Sequence, residues 1–455
     1  MMEKLSKLEQ MTTNKYVFRM SIPIFIELLL QLLVGNVDQI MVSRYSQDSV
    51  AAIVNGNQVM NILIIVINMM CMATTVILSQ YLGAKDEERC NQTCTISIFI
   101  ITFVGMIASI ITVFFSKPIF QAMNVEDKIL KEASAYLMIV GGCTVIQALY
   151  MNLAAILRSH TFMKQVMWVS VIMNVLNIIG NAILINGLFG FPQLGIVGAA
   201  ISTAISKIIG FIIILYLMKA KTNVKLKFIY LKEKSGEIYK KLLMLGFPSG
   251  AESLSYQMSQ MMILSIINVF GTTVTSTKGY CSILANFSYI YAIAISQATQ
   301  IVVGYLLGSR KIDEIGKRIW STMRIALACC VGIAIILYLG SDIVFRMFTN
   351  NPEILQLGKQ ILLIEIFLEI GRAINILMTR MLIAVGDAAT PMVVGITGHW
   401  LIAFAFSYLF GIVFGWGLRG VWIAMALDEC ARGLIYFVKF RMGKWKRKYA
   451  VPAKV

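Results

Sequence analysis

The chain is 455 residues long, 58% apolar and only 14% charged, where soluble domains run at about 45–50% and about 25%. No water-soluble core absorbs that excess, and apolar stretches of roughly 20 residues or more, long enough to cross about 30 Å of hydrocarbon, recur along the whole length. A net charge of +17 invites a nucleic-acid reading, but the basic residues sit in the breaks between apolar spans without the aromatic interleaving of single-strand binders, so no nucleic-acid partner is expected.

In chain order, the expected spans run roughly over 17–45, 51–80, 92–116, 132–157, 165–187, 194–218, 242–270, 275–306, 319–340, 354–383, 391–414 and 417–438. They predict an all-α integral membrane protein of about twelve transmembrane helices, several long enough to require tilt. The first span is expected to stay as helix one, because Glu and Lys precede it and no small-residue cleavage signal follows. Lys and Arg set the orientation. With the N-terminus inside, the cytoplasm receives residues 1–19, the loops near 81–91, 158–164, 219–241 and 310–318, and the tail from Lys439. These carry 27 basic residues, against eight in the opposite loops. Both termini are therefore expected in the cytoplasm of a multi-pass cell-membrane protein. The eight cysteines lie mostly in apolar runs, without zinc or disulfide spacing, and read as small buried residues.

An internal repeat organises the chain. Adding a constant offset to the numbering pairs Pro23 with Pro248 and Glu27 with Glu252, then Ala73-Thr74 with Ala298-Thr299 and Gly83 with Gly308. With only seven prolines in the chain, a proline pair followed one turn later by a glutamate pair is not a chance match of apolar residues. The repeat predicts an N-terminal lobe over 1–218, a basic linker over 219–241, a C-terminal lobe over 242–438 and a basic tail over 439–455. Six spans separate equivalent points, so the two lobes cross the membrane in the same sense.

Several segments carry a family resemblance: Pro23-Ile-Phe-Ile-Glu27, Val37-Asp38-Gln-Ile-Met41, Ala73-Thr74-Thr75, Gln80-Tyr-Leu-Gly83, Gln297-Ala-Thr299-Gln300, Gly195-Ile-Val-Gly198-Ala199 and Gly386-Asp387-Ala-Ala-Thr-Pro391. Together they resemble the multidrug and toxic compound extrusion (MATE) family over nearly the whole chain. The spacing of Pro23 and Asp38 is similar to its DinF-like branch. The resemblance implies a V-shaped pair of lobes that alternates between membrane faces. It also implies export of small, often cationic amphiphiles driven by inward H+ or Na+, with no other cofactor and a monomer as the working unit.

Asp38 lies deep in helix one. A carboxylate at such depth costs about 2.5–3.5 kcal/mol on insertion scales, so it faces a cavity or a partner, as a coupling group or as a neutral hydrogen-bonded tie between helices. The resemblance supplies its partners: Asn177, with Ala199 and Thr203, and Asn181 where the family often has a second aspartate. Asp38, Asn177 and Thr203 offer hard oxygens suited to Na+ or to a hydrogen-bonded carboxyl, although Asn and Thr are also ordinary interhelical hydrogen-bonders. Pro23 and Pro248 each remove a helical hydrogen bond and are candidate hinges, or static kinks.

In the second half, Glu365, Glu369 and Arg372 fall on one helical stripe, and Asp428 and Arg432 stand one turn apart. By rise per residue Glu252, Glu369 and Asp428 share a level near the midplane and could meet, as a structural network or for cation and substrate recognition. Three alternatives compete with an antiporter. A lipid-linked sugar flippase of the same superfamily fits poorly with mixed midplane charge; an intramembrane enzyme lacks any catalytic constellation; a channel would not require two lobes. No enzyme activity is expected, and the partners are a small-molecule substrate and membrane lipid.

Overall fold

The computed structural model describes residues 7–43, 46–232 and 236–446, with the side chains of residues 7–8, 35–40, 47 and 189 also outside the description. The regular elements among these residues are all helical. The long ones are α1 (Asn14–Ser43), α2 (Gln47–Ala84), α3 (Glu87–Ala122), α4 (Asp127–Gly142 and Thr144–Ser159), α5 (Met163–Asn186), α6 (Gly195–Lys221), α7 (Gly236–Asn268), α8 (Thr272–Gly308), α9 (Ile312–Leu339), α10 (Pro352–Ala384), α11 (Ala389–Val413) and α12 (Gly417–Arg441).

Eight of these are long and apolar enough to cross a membrane by themselves, and the two pieces of α4, bent by 43° at Cys143, make a ninth span. The remaining three, α7, α10 and α12, have 33, 33 and 25 residues. Hydropathy alone misses them because α10 and α12 carry the charges that pair with one another inside their lobe, and α7 is diluted by serines and glutamines around Glu252.

Bilayer solvent explains how the helices distribute their side chains. On α3 the exposed residues are Phe99, Phe103, Met106, Ile110 and Phe114, three or four apart, while Thr93, Ser97, Thr112 and Ser116 are buried. That is the reverse of a helix facing water, and it is stable only where apolar surface costs nothing outside. Helix ends use local caps. The Asp86 carboxylate accepts from the Arg89 N–H at 3.0 Å, and Asn351 accepts from the Glu353 N–H at 2.9 Å with Pro352 at the first helical position. Gly187 closes α5 in the left-handed region at φ 72°, where a Cβ would also press on the Phe191 carbonyl.

The chain divides into two compact units, Ile26–Gly246 and Met1–Phe25 with Phe247–Val455. This differs from the expected division at the basic loop. The chain passes from one unit to the other inside α1, just after Pro23, and inside α7, just before Pro248; both prolines lie within continuous helix. A proline lacks the N–H that would tie it to the preceding turn, so a helix can hand its two ends to different neighbours there. The first part of α1 accordingly belongs to the second unit. Arg318, 2% exposed, donates to the Thr12 carbonyl at 3.0 Å and the Asn14 side chain at 2.7 Å. Residues 219–241 and the start of α7 belong to the first: the Lys225 N–H reaches Asn91 at 2.9 Å, and the Lys241 ammonium reaches the Tyr81 hydroxyl at 3.2 Å.

Candidate functional site

Within the unit Ile26–Gly246, α5 and α6 run antiparallel at close range. Gly180 faces Ser202, and Gly198 lies against the backbone of Leu184. Small residues at these crossings let the backbones approach, as is usual between helices in lipid. The approach places three of the expected site residues in one network. Asn177 Nδ2 donates to Thr203 Oγ1 at 3.1 Å, Asn181 Nδ2 reaches Asn177 Oδ1 at 3.5 Å, and Ser202 Oγ donates to the Asn177 carbonyl at 2.9 Å. Ala199, one turn before Thr203, is buried in the apolar cluster with Val42, Ala52 and Leu137. The backbone of Asp38 lies within α1, but its side chain is outside the described residues.

Glu27, 3% exposed, has a counterpart that sequence reasoning missed. Arg158 had been counted with an inner loop, yet it occupies the last turn of α4, and its guanidinium donates to Glu27 Oε1 at 2.6 Å. The two residues are 131 apart in sequence, so nothing local announced the pair.

The charged residues of the other unit fall into two linked groups on α10 and α12. Gly371 makes this possible: a Cβ there would come within 2.6 Å of the Cys430 backbone nitrogen, while one on Gly433 would meet the Gly371 carbonyl at 3.1 Å. In the first group Arg372 pairs with Glu365 at 2.7 Å and with Glu369 one turn away. The Trp422 indole N–H donates to Glu365 Oε2 at 2.7 Å, and the guanidinium lies 4.7 Å from the Tyr289 ring centre. In the second group Arg432 donates to both oxygens of Asp428, at 2.6 Å for the shortest contact, and pairs with Glu429 at 2.9 Å. Asn375 donates to Glu429 as well.

Glu252, Glu369 and Asp428, expected to meet at one level, are instead apportioned to separate partners. Glu369 goes to Arg372 and Asp428 to Arg432, whereas Glu252 stands 3.7 Å from His399 Nε2. Like charges at a common depth are more stable beside guanidinium groups than beside each other. α11 makes room for them. Its Gly398 has space for no side chain, since a Cβ would fall 2.5 Å from Asp428 Oδ1, and it opens a stretch of wider π-type turns over Gly398–Phe404. Glu429, Asn375 and His399 were missed as members of this cluster. For Glu429 a signal was present, three residues before Arg432 on the same helix.

The cluster holds five carboxylates, Glu252, Glu365, Glu369, Asp428 and Glu429, against the guanidinium groups of Arg372 and Arg432. If all were ionised, negative charge would outnumber positive in a region with little water, which is costly.

An all-helical fold with many apolar spans and ion pairs buried in each of its two units is that of an integral membrane transport protein. The chain belongs to the MatE family, whose model matches it twice, over residues 23–183 and 248–409. The two matches begin at Pro23 and Pro248, the prolines paired by the internal repeat.

Among its relatives, the uncharacterized transporter YisQ of Bacillus subtilis is 35% identical over 431 residues, covering 95% of each chain. The probable multidrug resistance protein NorM of Thermotoga maritima is 25% identical, with 98% of this chain and 96% of that one covered. A crystal structure of MATE in the bent conformation superposes with a TM-score of 0.89 at 21% identity, over 98% of this chain and all (100%) of that one. A MOP superfamily transporter from Pyrococcus furiosus gives a TM-score of 0.88 at 22% identity, with 98% and 100% covered.

Proposed function

We propose that this protein is a secondary antiporter of the cell membrane, exporting small amphipathic cations in exchange for inward H+ or Na+ by alternating access. The excess of carboxylates over guanidinium groups in the α7–α10–α12 cluster carries the reading, because a region that needs positive charge is suited to cationic cargo. The same excess argues against a phosphate-bearing cargo such as a lipid-linked sugar. The relation to a probable multidrug resistance protein supports the cargo class.

In this reading Asp38 couples transport to the ion, with Asn177, Asn181 and Thr203 as its neighbours and the Ala199 carbonyl nearby. The amide and hydroxyl oxygens at Asn177 and Thr203 are hard donors. They would hold Na+ beside a charged Asp38, or accept hydrogen bonds once that carboxyl is protonated. Binding at Asp38 would then bias the direction of α1 at Pro23, and Pro248 would serve α7 in the same way. The working unit is a monomer with both termini in the cytoplasm.

Purified protein in liposomes, loaded with a fluorescent cation and given a pH gradient and a Na+ gradient separately, tests the reading. Cargo movement driven by one of them and lost in Asp38→Asn, with the variant still folded, is the expected result. Wild-type rates in Asp38→Asn would overturn the role of Asp38, and flux that is neither saturable nor gradient-driven would overturn the antiporter.

A further inference from the structure

We infer that residues 219–232 form a surface anchor that binds the headgroups of anionic phospholipids. In the topology proposed above these belong to the cytoplasmic leaflet; nothing else in the inference rests on the transporter reading. The segment carries five lysines, Lys219, Lys221, Lys225, Lys227 and Lys232, and no Asp or Glu. All five are exposed. Two basic residues nearby are already engaged, Arg89 with Asp86 at 3.6 Å and Lys241 with Glu237 at 2.6 Å. A run of one sign on the surface attracts the opposite charge.

Lysines in a loop follow from topology alone; the apolar side chains displayed among them do not. Phe228 is 89% exposed, Ile229 49% and Leu226 45%. The backbone that carries them is tied to the unit Ile26–Gly246 at several points. The Thr222 hydroxyl donates to the Met218 carbonyl at 2.6 Å, at the end of α6. Val224 packs against the apolar cluster that includes Cys90 and Cys94. The Lys225 N–H donates to Asn91 Oδ1 on α3 at 2.9 Å, and a single turn over Phe228–Leu231 follows. The Lys227 ammonium lies 5.9 Å from the Tyr230 ring centre. A segment fixed in this way that turns three large apolar side chains outward is suited to a partner surface and not to bulk water.

The level of the segment identifies the partner. Tyr216 is the last exposed large apolar residue of α6, and the exposed Lys219 follows three residues, roughly 4.5 Å, later, so the chain leaves hydrocarbon there. On α3, Asn91 stands eight residues, roughly 12 Å, before Phe99, the first exposed apolar residue of that helix. Both helices therefore hold the segment at the layer of headgroups. Lysines at that level meet phosphate, and the apolar side chains beside them reach the acyl boundary. A zwitterionic surface would leave the lysines unmatched, and an acidic soluble protein would leave the three apolar side chains unmatched.

The test uses the intact chain in nanodiscs, which present the same lipid on both faces, so the result does not depend on orientation or on transport. In a background without native cysteines, Ile229→Cys is labelled with nitrobenzoxadiazole, and the discs contain phosphatidylcholine spin-labelled at its headgroup. Discs with phosphatidylglycerol are expected to give a blue-shifted emission and at least about twofold more quenching than discs of phosphatidylcholine alone. The difference should be lost when Lys225→Gln, Lys227→Gln and Lys232→Gln are combined, and should shrink in high salt.

Equal quenching in the two kinds of disc, or quenching that survives the triple variant, would overturn the proposal. A water-like emission in both discs that shifts on addition of polyglutamate would overturn it in favour of an acidic protein partner. A shift in detergent that grows with protein concentration would overturn it in favour of a second copy of the chain. Native mass spectrometry of the chain with its own cysteines supplies an independent reading. Wild type should retain more phosphatidylglycerol than phosphatidylcholine from a detergent mixture of the two, and the triple variant should retain less of the former; equal retention by wild type and variant would overturn the anchor.

Discussion

Each buried charge in this protein is set by the cost of leaving it alone in hydrocarbon. Glu27 and Arg158 show this most simply, as a carboxylate on α1 and a guanidinium on α4 joined at 2.6 Å. Removing one partner of a buried pair costs about 3–5 kcal/mol, much of it the penalty on the charge left behind. Arg158→Met is therefore expected to lower the midpoint of thermal unfolding in detergent. The double variant Glu27→Gln with Arg158→Met should recover part of the loss, and a double variant no more stable than Arg158→Met would show that the pair is not the cause. Glu27→Gln alone keeps an acceptor for Arg158, so it should impair transport less than Asp38→Asn in a matched assay. Glu252, at the equivalent place in the repeat, faces His399 instead of an arginine. The two halves thus share a position and differ in its electrostatics.

At the scale of helices, the packing of α10 on α12 determines whether the acidic cluster forms. Gly371 lies against the Cys430 backbone, which cannot yield as a flexible side chain could. Gly371→Leu is expected to separate the two helices, dismantle the Arg372 and Arg432 groups and abolish recovery of monodisperse protein on size-exclusion chromatography. Normal recovery with a normal melting temperature would contradict this account. For α1 the informative change is Pro23→Ala, which restores a hydrogen bond where the chain passes between units. If Pro23 is a hinge, turnover of a fluorescent cation falls while its binding in detergent is unchanged. Unaltered turnover would make the proline a static kink.

For the whole molecule, the bilayer and the distribution of basic residues set the orientation. The largest group of lysines lies between the two halves of the repeat, over residues 219–241, and the proposed topology places it in the cytoplasm. In a background without native cysteines, Lys225→Cys should react with a membrane-impermeant maleimide only after the membrane is opened. Lys128→Cys, at an exposed position in the first turn of α4, should react in intact cells. The opposite pattern would invert the topology while leaving the fold intact.

Most of the architecture was legible in the chain itself. Span length, the polar breaks and the repeat anchored on Pro23 and Pro248 follow from local sequence, because a helix in lipid must satisfy its own backbone and needs a fixed length of apolar residues. The stripes Glu365–Glu369–Arg372 and Asp428–Arg432 could be read from helical spacing for the same reason. What the sequence left open was everything set by contacts between distant segments. Arg158 looked like a loop charge until the end of α4 met Glu27, and His399 gave no sign of Glu252 on another helix. Nor could the sequence tell that the chain changes units within α1 and α7 instead of at the basic loop. Periodicity specifies which face of a helix is buried; only the packed helices determine what that face meets.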